Sequence, residues 1–299
     1  MKKFVTKGLI YFLGILLIST LLSGFGLWLV SKGNFYKPSF VVNGLPSKSF
    51  HTVVFGSSRG LAALDSKMIS EAQGAPCLNL CMTDTALPTH FLMIKHFFEQ
   101  GNSAEFVLLS VDLGDFEKSQ VKTGDADFKF APFAGEGYVQ EFYQKYDQTG
   151  LRVLANSNWM PLLAYGFYNS QLIYPSLISA IRPSYKYLFD ELGNYGYPDY
   201  LGLSELPAAS PRATSLKNPI LEEISQYVEQ KGAKLIIYIA PYLQEDIRIE
   251  GASFQYIINH SRLLNEAKFF SDNIHLVNAG KISATKALNL ELAKNKHQP

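Results

Sequence analysis

Val53-Val54-Phe55-Gly56-Ser57-Ser58-Arg59-Gly60 reads as a strand that stops at a glycine and hands over to a helix. Thr52 to Phe55 is β-branched and aromatic, the composition of a short buried strand. From Arg59 to Ala72, Leu61, Leu64, Met68 and Ile69 fall at helical spacing. Strand followed at once by helix is the repeating unit of a parallel α/β sheet.

The alternation continues outward. Cys77 to Leu80 reads as a second strand, and Leu87 to Gln100 as a helix with Leu92, Ile94, Phe97 and Phe98 in its apolar set. Glu105 to Val111 (EFVLLSV) is a third strand, apolar enough to be covered on both faces. Leu221 to Gln230 is helical and Gly232 ends it. Lys234 to Ala240 (KLIIYIA) is a fourth strand closed by Pro241. A helix over His260 to Phe269, a short extended piece over Ile274 to Val277 and a final helix over Ile282 to Ala293 complete the pattern. The fold class expected is α/β, a parallel sheet with helices on both faces.

Between Leu113 and Lys217 the alternation breaks, and the insertion is rich in aromatic residues, among them Phe128, Phe130, Phe133, Tyr138, Trp159, Tyr165, Tyr168, Tyr185, Tyr187, Tyr195, Tyr197 and Tyr200. So long a segment has either structure of its own or a function. Two readings stand side by side: a cap whose aromatic faces stack on sugar rings, or a helical insertion with its own small core.

Upstream, Gly8 to Val30 (GLIYFLGILLISTLLSGFGLWLV) contains no charged residue. About twenty such residues cross a bilayer core. Lys2, Lys3 and Lys7 precede the run, while Lys32 and Lys37 follow it. The positive-inside bias keeps residues 1–7 cytoplasmic and exports the rest. A cleaved signal peptide is the rival, but the run is too long for an ordinary signal core and no small-x-small site closes it. Residues 31–50, with Gly33, Pro38, Gly44 and Pro46, read as a linker to a domain over 51–299.

Composition narrows the classes. The chain has 299 residues, 47% apolar and 18% charged, with a net charge of +1. That supports a sizeable core and gives no electrostatic case for nucleic acid. The two cysteines, Cys77 and Cys81, are too few for a disulfide framework or a four-ligand zinc site, and read as small buried hydrophobes. His51, His90, His96, His260 and His297 show no metal-ligand spacing, so neither metal nor cofactor is expected.

Chemistry concentrates at the carboxyl ends of the predicted strands. Ser58 stands where the first strand meets its helix, and Asp272 and His275 stand three apart on a late loop. A serine hydroxyl needs a histidine to take its proton, and the histidine needs a carboxylate to fix its tautomer. In an open parallel sheet such a site forms at the carboxyl ends of the strands. Arg59, beside the nucleophile, either binds an anionic substrate group or pairs with a carboxylate.

Gly56-Ser57-Ser58 after the first strand, with Asp272-x-x-His275-Leu276-x-x-x-Gly280 before the last helix, resembles the SGNH (GDSL-like) hydrolase family. The resemblance covers most of 51–112 and 219–293. It implies a three-layer flavodoxin-like sheet, with Ser58 as nucleophile, His275 as general base and Asp272 as its orienting carboxylate. The middle blocks depart from the pattern. No glycine follows the second strand, and Asp112 stands near where the family has an asparagine. An ionised carboxylate would oppose a developing oxyanion. Asp112 therefore points elsewhere, is held protonated, or leaves the hole to other donors. The candidates are the N–H of Ser58 and one from the Cys81–Thr83 segment.

The departure is similar to the membrane-anchored branch that works on cell-envelope polymers, including the D-alanylation partner of lipoteichoic acid and the acetyltransferases of exported polysaccharides. That likeness implies an ester hydrolase or O-acyl(acetyl)transferase on a cell-surface glycan. It also implies a membrane-bound O-acyltransferase as partner and a single-pass position in the inner membrane, domain outward. The rival class is a non-catalytic, anchored glycan-binding or assembly partner.

Overall fold

The computed structural model describes residues 1–116, 124–196, 210–251 and 254–295. Tyr197, Tyr200 and His297 lie outside them. Seven strands occur among the described residues: Ser49–Gly56 (β1), Cys77–Asn79 (β2), Ser103–Ser110 (β3), Ser210–Thr214 (β4), Lys234–Ile239 (β5), Glu245–Ile249 (β6) and Ile257–Asn259 (β7). The helices are Lys2–Lys32 (α1), Lys37–Asn43 (α2), Ser58–Ala63 (α3), Ser66–Gln73 (α4), Leu87–Glu99 (α5), Gly137–Tyr146 (α6), Pro161–Tyr168 (α7), Ser170–Ile181 (α8), Pro219–Gln230 (α9) and Asn278–Asn295 (α10).

The chain is α/β. Five strands form one parallel sheet in the order β2-β1-β3-β5-β7, and β4 and β6 form a separate parallel pair. Val53 is in register with Leu78 on one side and Val107 on the other, and Val107 pairs in turn with Leu235. The centres of these strands are shielded from water on both faces. Val53, Val54, Phe55, Val107, Leu108 and Leu109 are all fully buried. The crossover that leaves β1 runs to β2 on one side, and the one that leaves β3 runs to β5 on the other. The carboxyl ends of β1 and β3 therefore flank the point where strand order reverses, the usual place for a ligand in such a sheet.

Three local expectations are corrected. The helix read over Arg59 to Ala72 is two helices. Leu64 is extended, and the Asp65 carboxylate accepts the Met68 N–H at 3.0 Å, capping a fresh start at Ser66. The helix read over His260 to Phe269 is not formed. Asn259 and Ser261 commit their side chains to backbone groups instead, Asn259 accepting from Ser261 N–H at 3.0 Å and donating to the Ile247 carbonyl at 2.7 Å. Such local bonds compete with a helix. The fifth strand of the sheet is the short run just before this segment, Ile257–Asn259. The extended piece over Ile274 to Val277 is not a strand but one side of a tight loop bridged between Phe270 and Leu276.

The chain divides into two compact units, Leu45–Ala126 with Leu188–Pro299, and Met1–Gly44 with Asp127–Tyr187. Both sheets lie in the first. In the second, α1 is the one helix among the described residues long and apolar enough to cross a membrane. Residues 31–50, read as a linker, carry the end of α1 and the short α2, with Phe35, Tyr36, Phe40 and Val41 buried. The central part of the aromatic insertion falls in the unit of α1. There Phe128, Phe130, Phe133 and Tyr143 are buried, and the Tyr143 hydroxyl donates to the Asp127 carbonyl at 2.9 Å.

Candidate active site

At the end of β1 the backbone makes a turn open to few residues. Gly56 has φ +148, and a Cβ there would stand 2.7 Å from the Ser110 carbonyl of the neighbouring strand. Ser57 then caps α3. Its hydroxyl oxygen accepts the Arg59 N–H at 3.2 Å, and its hydrogen goes to the Asp112 carboxylate at 2.6 Å. This leaves Ser58 at the first helical position, its side chain half-buried and its N–H without a helix-internal acceptor.

The second half of the site is the loop Ser271 to Leu276. One Asp272 oxygen accepts the N–H groups of Ile274 and His275, both at 2.8 Å. The Ser271 N–H donates to the His275 carbonyl at 2.9 Å, and buried Phe270 and Leu276 pin the two ends. The loop aims the imidazole. His275 Nδ1 lies 2.7 Å from the other Asp272 oxygen, and Nε2 lies 2.7 Å from the Ser58 hydroxyl. Next to a carboxylate, Nδ1 carries the proton, so Nε2 is left to accept from Ser58. Partial burial works to raise the Asp272 carboxyl. The bonds from the His275 ring and from the two N–H groups outweigh it and hold the group below the ordinary carboxylate range. Ser58, Asp272 and His275, far apart in sequence, are thus joined in one line of hydrogen bonds.

Asp112 points away from that line. One of its oxygens takes the Ser57 hydroxyl, and the other pairs with Arg59 Nη1 at 3.0 Å. A salt-bridged carboxylate turned to Ser57 resolves the alternatives left open by the sequence in favour of a different orientation. Arg59 is itself turned inward rather than toward a ligand. Its side chain is 3% exposed, and Nη2 donates to the carbonyls of Ala240 at 2.8 Å and Pro241 at 3.0 Å. The guanidinium carbon stacks 3.3 Å from the centre of the Tyr242 ring. These bonds tie the start of α3 to the carboxyl ends of β3 and β5. A buried, fully bonded guanidinium has little left for an anionic substrate.

Of the oxyanion candidates, the Cys81 N–H is already donated to the Asn79 side chain at 3.0 Å, and the neighbouring Met82 N–H to the Gly56 carbonyl at 2.9 Å. The Ser58 and Thr83 N–H groups remain as candidate donors.

Sequence reasoning missed the residues that hold Asp112. Asp112 and Asp115 exchange bonds across a single turn: the Asp115 N–H donates to the Asp112 carbonyl and the Asp112 N–H to the Asp115 carboxyl, both at 2.8 Å. Burial pushes the Asp115 carboxyl well above the ordinary range, and the nearby Asp112 charge adds to the rise. Tyr242 accepts the Leu113 N–H at 3.0 Å. The Asp-x-x-Asp spacing after β3 was the available signal for this turn, whereas Tyr242 has none.

Among the described residues no group of three or more His, Cys, Asp or Glu side chains is arranged to hold a metal ion. No protein-family model matches the chain, and no curated protein matches it either.

Proposed function

We propose that this chain is a membrane-anchored serine ester hydrolase or O-acyltransferase of the SGNH-like kind, acting on an O-acyl group, acetyl by the resemblance, of a cell-envelope glycan. The observation that carries the reading is the continuous line Ser58–His275–Asp272, two bonds of 2.7 Å each, at the carboxyl end of β1. The strand order supports an SGNH-like, flavodoxin-like sheet, since counted within the sheet it runs 2-1-3-4-5.

The chemistry follows from the geometry. The Ser58 oxygen attacks the ester carbonyl carbon while its proton passes to His275 Nε2. The negative charge that develops on the carbonyl oxygen falls to the Ser58 N–H, with the Thr83 N–H as the candidate second donor. Collapse breaks the ester C–O bond, and His275 returns the proton to the departing alkoxide. Water, or a sugar hydroxyl in a transferase, then gives its proton to His275 and attacks the acyl-serine; the bond from the acyl carbon to Ser58 breaks, and His275 returns the proton to the Ser58 oxygen. Asp272 keeps the imidazole in the tautomer both steps need and steadies its transient positive charge.

In this reading α1 anchors the chain in the cytoplasmic membrane, with Lys2, Lys3 and Lys7 inside and the sheet-bearing unit outside. A membrane-bound O-acyltransferase is its working partner. A fluorophosphonate probe tests the site, because it labels only an activated serine. Labelling of the wild type and none of Ser58→Ala is expected. A folded wild type that takes no label contradicts the enzyme reading and favours a non-catalytic glycan-binding partner. Protease added outside intact spheroplasts should degrade the sheet-bearing unit, and full protection would contradict the topology.

A further inference from the structure

From Val153 to Ile181 the chain carries no Asp, Glu, Lys, Arg or His; Arg152 and Arg182 bracket the run. This stretch contains α7 and α8, joined at Asn169 with φ 44. Both helices belong to the unit of α1 and pack on its C-terminal part. The Ser176 hydroxyl donates to the Gly26 carbonyl at 3.0 Å, and Ser23, Gly26, Leu27 and Val30 are the buried residues of α1. Small residues on the contact side let the two backbones approach.

The outer side of the hairpin is apolar and open. Ile173, Leu177 and Ile181 recur at every fourth position of α8 and are 39%, 58% and 74% exposed. Phe167 on α7 is 61% exposed. On the stretch of α1 that carries the Ser176–Gly26 contact, Leu21, Leu22, Phe25 and Trp28 are likewise all more than half exposed. Water would be a poor solvent for this combined face, at about 25 cal/mol for each Å² left uncovered. The medium that covers α1 covers it too.

The hairpin also ends where α1 ends. Arg182, Tyr185, Lys186 and Tyr187 follow α8 directly. The Asn34 N–H donates to the Pro183 carbonyl at 2.8 Å, and the Tyr187 N–H to the Phe35 carbonyl at 3.1 Å. The basic and tyrosine-rich rim is thereby held level with the chain just after Lys32, the first charge beyond the apolar run of α1. Basic residues and tyrosines gather at the depth of lipid headgroups. With 12 residues, α8 reaches only about 18 Å, short of the roughly 30 Å hydrocarbon core, so it sits within one leaflet.

We propose that α7 and α8 form a second membrane contact, a hairpin seated at the headgroup–acyl boundary of the leaflet from which α1 emerges. The occupant of the exposed face is phospholipid. The proposal rests on the reading of α1 as a membrane anchor and adds to it. Anchoring at two points restrains the tilt of this unit in the bilayer, which a lone helix does not do.

The test uses the full chain in vesicles of phosphatidylcholine with brominated acyl chains, which quench a bimane fluorophore only on contact. Bimane is attached to Leu177→Cys on α8, to Leu17→Cys on α1 and to Lys145→Cys on α6. The unsubstituted protein serves as the blank, since Cys77 and Cys81 are buried. Quenching at positions 17 and 177, with none at 145, is the expected result. Quenching at 17 but not at 177 overturns the hairpin proposal and leaves the anchor standing. No quenching at 17 overturns the anchor and the proposal together. If the label at 177 is shielded from aqueous iodide yet not quenched by bromine, a second copy of the chain covers the face and the proposal fails.

Discussion

The carboxyl ends of β1, β3 and β5 and the hairpin beside α1 treat polar groups in opposite ways. Around Ser58 a buried arginine, buried Asp115, half-buried Asp112 and a buried tyrosine are each met by a partner. Along α7 and α8 there is no charge to satisfy, and large apolar side chains face outward. A charge can stay inside protein only when its bonds are supplied there. An apolar face can stay outside only when something other than water covers it. The first region has what the proposed catalytic centre needs in a protein interior, the second what the proposed lipid contact needs at a surface.

Substitutions should separate the two regions by size of effect. Ser58→Ala or His275→Ala should lower ester hydrolysis by about a thousandfold to a millionfold, measured as kcat/KM on a small acetyl ester. Retained activity in either would break the assignment. Arg59→Leu leaves Asp112 beside the core without its counter-charge, and should cost about 3–5 kcal/mol in denaturant unfolding. The matching change in the other region, Leu177→Ser, should alter stability in detergent by less than about 0.5 kcal/mol, because that side chain has no protein core to leave.

Smaller effects sharpen the picture of the loop that carries His275. A Cβ at Gly280 would come 2.5 Å from the Phe269 carbonyl, a backbone atom with no freedom to swing away. Gly280→Ala should destabilise by about 1–3 kcal/mol and lower kcat by shifting the imidazole. The pH effects set apart two carboxyls that move in opposite directions. Asp115 is held above its ordinary value, so its contribution to stability is present at low pH and fades as pH rises from about 4 through its raised pKa. Asp272 is held below its ordinary value, so its contribution is present at neutral pH and is lost as pH falls through its lowered pKa. Asp115→Asn should remove the first slope, flattening Tm against pH above about pH 4 while leaving the acid limb in place. An unchanged profile would mean that Asp115 is ionised in the fold.

Much of this was legible in the chain. Strands β1, β3 and β5 announce themselves because central parallel strands are apolar throughout. Asp272 and His275 were visible as a spacing, since a tight turn fixes which side chains share a point, and Ser58 by its place where the first strand meets its helix. β7 was not legible, because three residues carry too little period and the polar residues after it mimic a helix surface. The turning of Asp112 toward Ser57 and Arg59 depends on contacts between residues more than fifty positions apart, which no local pattern records. The split of the insertion was hidden for a similar reason: aromatic residues run through all of it, and only the long stretch from Val153 to Ile181 is free of charge. Buried Phe128 and exposed Phe167 are the same residue type, and only the fold distinguishes them.

The most direct measurement is the mass of the intact protein after brief exposure to an activated acetyl ester, followed by peptide mapping. The account predicts one added acetyl group, located on Ser58, absent from Ser58→Ala and formed far more slowly in His275→Ala. Acetyl found on another residue at equal rate in Ser58→Ala, or rapid ester turnover in that variant, would contradict it.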